Sequence, residues 1–229
     1  MLQWIYLNSY NLLLILGGLA VIALMIYRRS LYNLAIWQAA TLGLSLLLCA
    51  VAGAKLLYII ESGGRTDGMS LFGAVYLVVF LMPLVGRLFS LKGVHTLDAC
   101  SPCGACVIGV VRFGCFLSDC CGGKYANIGS LTFRWPTQIM ESFCDFMILA
   151  WLLQVERKDH RPGALYAWFL ILYCFFRFLI EFLRDTPKDW LYLSHGQWFA
   201  IIGMILGVGV RLYTQYQKEE KHEKRIKGK

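Results

Sequence analysis

The chain has 229 residues, 58% of them hydrophobic and only 16% charged, with a mean hydropathy of +0.58. That balance leaves too little polar surface for a water-soluble domain of this size, and it points to an all-α, polytopic integral membrane protein. The formal net charge of +8 is no sign of nucleic acid, because the basic residues fall between apolar runs and in the C-terminal tail, as membrane topology requires.

Residues 1–11 lack a basic region, and the first apolar run ends at Arg28-Arg29 without a small-residue cleavage site, so it is expected to stay as a helix. Runs near the length that crosses a bilayer, roughly 17–25 residues, fall at 10–27, 33–60, 70–89, 97–113, 137–155, 163–183 and 197–214. They predict about seven transmembrane helices in one domain, 1–214, followed by a basic cytoplasmic tail, 215–229. Basic clusters follow the first run (Arg28, Arg29), the third (Arg87, Lys92), the fifth (Arg157, Lys158, Arg161) and the seventh. This places the N-terminus outside and the C-terminus inside. Residues 115–136 then form an outer loop rich in turn formers, and the next helix starts at Trp135-Pro136-Thr137-Gln138.

Two arginines stand inside apolar runs, Arg112 and Arg177. An arginine at mid-membrane costs at least ~2.5 kcal/mol on insertion scales, so each should face a cavity and a partner instead of lipid. Guanidinium keeps its charge when dehydrated and grips oxyanions with two parallel donors. The pair is therefore a candidate phosphate clamp, or else the structural partner of a carboxylate such as Glu141 or Glu181. Of the nine cysteines, Cys49, Cys100, Cys144 and Cys174 lie in or beside apolar stretches, where a thiol acts as a small hydrophobe. Cys100, Cys103 and Cys106 recur every third residue and read best as small packing residues of a tight helix bundle. Cys115, Cys120 and Cys121 leave packing, a disulfide and a metal site open, with Cys115 a candidate nucleophile or base three residues after Arg112. His195 enters the last helix from the outer side and is the histidine within reach of the arginines, a candidate for proton transfer. Neither a glycine-rich nucleotide loop nor a serine-nucleophile motif is present.

Several short motifs, in order, resemble those of the prolipoprotein diacylglyceryl transferases, the bacterial enzymes that begin lipoprotein maturation. Arg112-Phe113-Gly114-Cys115-Phe116-Leu117 through Gly123 is similar to the signature Gly-Arg-x-Gly-Asn-Phe-x-Asn-x-Glu-x-x-Gly. Asp98 with Ser101-Pro102 matches the family's Asp and Pro at the head of the same helix, Gly53-Ala54-Lys55 its Gly-Ala-Arg, and Gly68-Met69-Ser70 its Gly-Met-Ser. Trp135-Pro136-Thr137-Gln138 to Glu141 resembles its His-Pro-Thr-Gln-x-Tyr-Glu, Phe176-Arg177 to Glu181 and Arg184 its Phe-Arg-x-x-x-Glu-x-x-Arg, and Gly196-Gln197 its Gly-Gln. Tyr10 matches an N-terminal tyrosine.

The resemblance implies a seven-helix enzyme of the bacterial cytoplasmic (inner) membrane with its active site toward the outer leaflet. Such an enzyme moves the diacylglyceryl group of phosphatidylglycerol to the lipobox cysteine thiol of a prolipoprotein signal peptide, forming a thioether and releasing glycerol phosphate. No cofactor, metal or nucleic acid is expected. Arg112 and Arg177, carried over from the matching motifs, are the expected catalytic groups, and Cys115 and His195 join them from the reading of the residues above. Tyr10, Lys55, Ser70, Gly123, Gln138, Glu141, Glu181, Arg184 and Gln197 are the expected substrate-binding groups. The chain departs from the family where a histidine becomes Phe72, signature asparagines become Cys115 and Ser118, a glutamate becomes Cys120, and the histidine before Pro-Thr-Gln becomes Trp135. These changes predict a retained scaffold and clamp with an altered acceptor or lipid. Two rival readings are a lipid-binding membrane protein without catalysis on the same scaffold, and a membrane thiol redox or metal protein built on the cysteine cluster.

Overall fold

The computed structural model describes residues 2–66, 68–128, 131–158, 161–188 and 191–227; the side chains of 2–10, 128, 131 and 217–227 lie outside that description. Long apolar runs become helices because a helix satisfies every backbone donor and acceptor within its own segment, which hydrocarbon cannot do. Seven α-helices form among the described residues: α1 (Leu2–Tyr27), α2 (Ile36–Glu61), α3 (Leu71–Arg87), α4 (Gly93–Leu117), α5 (Thr137–Glu156), α6 (Ala164–Glu181) and α7 (His195–Lys227). By length and composition, α2, α4, α5, α6 and the His195–Tyr216 part of α7 are long and apolar enough to cross a membrane; Asn11–Tyr27 and Leu71–Arg87 are shorter apolar helices. The all-α expectation therefore holds.

The centre of the bundle is α4, which packs on α1, α2, α3, α5 and α6. Of its most apolar stretch 61% is buried, against 22% for α2 and for α7, so α4 faces protein where those helices face outward. Small side chains make this possible: Ala99, Cys100, Cys103, Ala105 and Cys106 are all buried, and they let neighbouring backbones approach. Cys100 and Cys103 pack with Val21, Met25, Leu42 and Met82. All nine cysteines are free thiols.

At one end of α4, Asp98 accepts the backbone N–H groups of Gly163 at 2.5 Å and Tyr166 at 2.9 Å, capping the start of α6 with a carboxylate. Beside it, Arg28 is buried and forms a forked ion pair with Glu156, with Nε 2.6 Å from Oε2 and Nη2 against Oε1. Its Nη1 donates to the Ala99 carbonyl at 3.0 Å, and Tyr32 donates to Glu156 at 2.5 Å. The sequence reading places Arg28 with Arg29 as a loop marker of topology. Instead Arg28 joins α1, α4 and α5, because α5 ends in a carboxylate that lies within its reach.

Helices α2 and α3 meet at Gly53 and Gly73, where a Cβ on either would collide with the other's carbonyl. Gly53→Ala is expected to force the helices apart at a cost of about 1–3 kcal/mol. Thermal unfolding in detergent reads this, and an unchanged midpoint would show that the contact gives way freely.

The expected outer loop 115–136 is more ordered than its turn formers suggest. α4 continues to Leu117, and after a turn with Asp119 and Cys121 at positive φ (48° and 60°) two antiparallel strands follow, β1 (Tyr125–Ile128) and β2 (Leu131–Arg134). Tyr125 pairs with Arg134 and Ile128 with Leu131. The guanidinium of Arg134 lies 5.8 Å from the Tyr125 ring centre, and Thr132 donates to Asn127 at 2.9 Å. Four-residue strands carry too little alternation to stand out in sequence. At the other end of the chain α7 runs unbroken to Lys227.

Candidate functional site

Glu141 lies on α5 fifteen residues before Glu156, so it sits ~22 Å along the helix from the Arg28 pair. Around it three arginines converge. Arg112 comes from α4, with Nε 2.5 Å from Oε2; Arg177 comes from α6, with Nη1 against Oε1; Arg184 comes from just past α6, with Nη1 3.2 Å from Oε1. A second carboxylate, Glu181, contacts Arg177 Nη2 at 3.0 Å and Arg184 Nε at 3.6 Å through Oε2. Its Oε1 accepts the hydroxyls of Thr186 at 3.0 Å and Ser194 at 3.1 Å. All five charged side chains are about 11% exposed or less. Three guanidinium groups are thus matched by two carboxylates in direct contact.

The cluster is not saturated. The Nε–H of Arg177 is buried without a hydrogen-bond acceptor, and that of Arg184 has only Glu181 Oε2 at 3.6 Å, beyond hydrogen-bond distance; Asp145 Oδ2, Glu181 Oε2, Tyr173 OH and Gln197 Nε2 are likewise buried with no hydrogen bond. A buried donor without an acceptor costs about 1–3 kcal/mol. An incoming oxyanion would satisfy the two guanidinium donors, and the low local dielectric would strengthen its attraction to all three cations.

The structure brings Arg112, Arg177, Glu141, Glu181 and Arg184 into this one cluster and joins Gly123 to it through Arg184, and Ser194 and Gln197 through Glu181. Gly123 packs where a side chain has no room, with a Cβ there 2.7 Å from the Leu183 carbonyl oxygen. Its backbone forms a β-bridge with Arg184 and donates to Trp135 at 3.0 Å. Gln138 donates to the Cys120 carbonyl at 2.7 Å. Gln197 and Ser194 cap α7 reciprocally, at 3.0 and 3.3 Å, and Ser194 carries the cap to Glu181. His195 opens α7 at an exposed position next to Ser194. Lys55 is on α2 and donates to the Thr66 carbonyl at 2.8 Å, holding the segment that leads to Ser70. Ser70 stands at the N-cap position of α3 with no side-chain cap bond, and its N–H donates to the Ala54 carbonyl at 2.9 Å. Phe72 is buried against Tyr76 and Phe199. Tyr10 has its side chain outside the described residues.

Sequence reasoning passed over Asp145 and Tyr173. Asp145 is one turn after Glu141 in an apolar helix, and a carboxylate at such a place is itself a functional signal. Tyr173 is one turn before Arg177, within electrostatic reach of both Arg177 and Arg112. The thiols form a second feature. Cys115, Cys120 and Cys121 lie within hydrogen-bond reach of one another. In the loop beyond α4, the Cys121 thiol is drawn down to about 5, first by the hydrogen bond from Cys115 and then by Arg184 and Arg112. The Cys120 thiol is pushed up, chiefly by burial. Among the described residues no group of three or more His, Cys, Asp or Glu side chains is placed to hold a metal.

A family model described as prolipoprotein diacylglyceryl transferase matches residues 2–213. The chain is 27% identical over 238 residues to a phosphatidylglycerol–prolipoprotein diacylglyceryl transferase of Clostridium tetani, covering 92% of this chain and 94% of that protein. It is 26% identical to phosphatidylglycerol–prolipoprotein diacylglyceryl transferase 2 of Clostridium perfringens over 73% of this chain and 74% of that one. For a Dehalococcoides mccartyi protein of the same name as the first, identity is 22%, over 95% of this chain and 92% of the relative. With the match running across α1 to α7 and through every arginine of the cluster, the chain belongs to the prolipoprotein diacylglyceryl transferase family.

Proposed function

We propose that the protein transfers the diacylglyceryl group of phosphatidylglycerol to the lipobox cysteine thiol of a prolipoprotein signal peptide. The thiol sulfur attacks the glyceryl carbon that bears the phosphate. A C–S bond forms, the C–O bond breaks, and its electron pair leaves on glycerol phosphate. Charge therefore grows on phosphate oxygens, the place where Arg112, Arg177 and Arg184 concentrate positive charge in a dry site. The observation that carries this reading is the convergence of three buried guanidinium groups, two of them with an Nε–H that no hydrogen bond satisfies. Glu141 holds the three cations together and shares them with the phosphate when the lipid binds.

Phe72 supplies no proton acceptor. The thiol proton passes instead to the departing phosphate monoester, whose second pKa is about 6 and which the arginines hold close by. A thiol ionises with modest help, so this route slows attack without blocking it.

In this reading all seven helices cross the bacterial cytoplasmic membrane, with the N-terminus outside and the arginine cluster toward the outer leaflet. Residues 1–214 form the membrane domain, and residues 215–229 extend as a basic cytoplasmic tail. The placement of Arg87, Lys92, Arg157, Lys158 and Arg161 on one side supports this orientation. Purified protein mixed with phosphatidylglycerol and a lipobox peptide should yield a thioether-linked diacylglyceryl peptide by mass spectrometry. Saturable lipid binding with no transfer from any phospholipid would instead establish the non-catalytic reading.

A further inference from the structure

The three thiols beside the clamp play no part in the chemistry above, yet they are placed for chemistry of their own. Cys115 is buried at the last turn of α4, Cys120 is half-buried, and Cys121 is exposed, so a reagent meets Cys121 first. The backbone brings them together: α4 ends with the Cys120 N–H bonded to the Cys115 carbonyl at 3.0 Å, and Cys121 takes a left-handed conformation at φ 60°. Cys121 faces the Cys115 and Cys120 thiols and two cations, Arg112 and Arg184, which favour its thiolate. A thiolate beside a second thiol is the arrangement needed for exchange with a disulfide.

We propose that Cys121 and Cys115 form a dithiol–disulfide site that reacts with organic disulfides and changes the charge at the arginine clamp. The Cys121 thiolate attacks a sulfur of the organic disulfide, forming a mixed disulfide and expelling one thiolate. Cys115 then loses its proton to that thiolate and attacks the Cys121 sulfur, releasing the second thiolate. The chain is oxidised by two electrons, and the organic disulfide is reduced to one thiol and one thiolate. The internal disulfide is neutral, so Arg112 and Arg184 lose an anionic neighbour. The closing loop also acts on the site mechanically, because the Cys120 carbonyl holds Gln138 at 2.7 Å and the Cys121 carbonyl holds Thr137 at 3.4 Å, one turn before Glu141. This inference builds on the proposed transferase reading, since it concerns the same arginines, but thiol counting tests it without any transfer.

Reduced full-length protein in detergent is exposed to glutathione disulfide, alkylated, and cut after Arg112 and Lys124, which leaves all three thiols on one peptide. Before exposure the peptide should take an alkyl group on each of its three cysteines; afterwards it should take one, on Cys120. Cys115→Ser should trap glutathione on Cys121, and Cys121→Ser should prevent closure. Diacylglyceryl transfer should rise several-fold on oxidation, because Arg112 and Arg184 no longer share their charge with a thiolate, and return to its starting value with dithiothreitol. Retention of all three alkylatable thiols, or closure of a pair that omits Cys121, overturns the site. Closure that leaves transfer unchanged overturns its link to the clamp. Absence of transfer by the reduced protein counts against the transferase reading and leaves the thiol result standing.

Discussion

Arg112→Ala should lower diacylglyceryl transfer by about 10²–10³-fold, the usual cost of removing one donor from a site that stabilises a developing oxyanion. The loss should fall mainly on kcat, because charge on the phosphate grows as the C–O bond breaks. Stability should change much less, since Glu141 keeps Arg177 and Arg184 as partners after Arg112 is gone. Arg112→Lys should be intermediate: it restores a charge but not the planar pair of donors that fits a phosphate. Glu141→Gln offers the contrast, since it withdraws the shared counter-charge from three buried cations at once, and both folding and transfer should suffer. If Arg112→Ala transfers within a few-fold of the wild type, the cluster is only a structural ion-pair network.

Glu156→Ala should be the most destabilising single change at the opposite end of the bundle. It leaves Arg28 buried and without its carboxylate, a situation that costs about 3–5 kcal/mol. The double replacement Arg28→Met with Glu156→Leu should recover most of that loss, because the expense lies in the orphaned charge more than in the absence of the pair. Thermal unfolding in detergent separates these outcomes. The cluster around Glu141 is ~22 Å away along α5, so transfer per folded molecule should survive both changes. A Glu156→Ala protein as stable as the wild type would mean that water reaches Arg28.

Helix existence was legible in the sequence because the apolar runs are long; helix ends were less so. The run assigned to 97–113 belongs to a helix that spans Gly93–Leu117, since Thr96 and Asp98 interrupt the apolar pattern while both side chains are buried within protein. Arg28 read as a loop residue because its partner Glu156 is 128 positions away. The arginines were visible as costly charges in apolar surroundings, and Glu141 and Glu181 were visible as carboxylates in the right segments. That one carboxylate gathers three arginines was not visible, because it depends on where α4, α5 and α6 end relative to one another. The thiols show the same limit: spacing marked Cys115 through its distance from Arg112, whereas the setting of Cys121 depends, beyond Cys115, on Arg184, 63 positions away in sequence.

The β-bridge between Gly123 and Arg184, continued by the Lys124 N–H to the Leu183 carbonyl at 2.8 Å, joins the far ends of α4 and α6 by main chain. The spacing between the arginines those ends carry is thereby set by rigid backbone geometry and not left to long, mobile side chains. The electrostatic field of the site is consequently assembled before any lipid arrives. Little reorganisation remains for the reaction step, and a bulkier residue at position 123 would detune that field without touching a single charge.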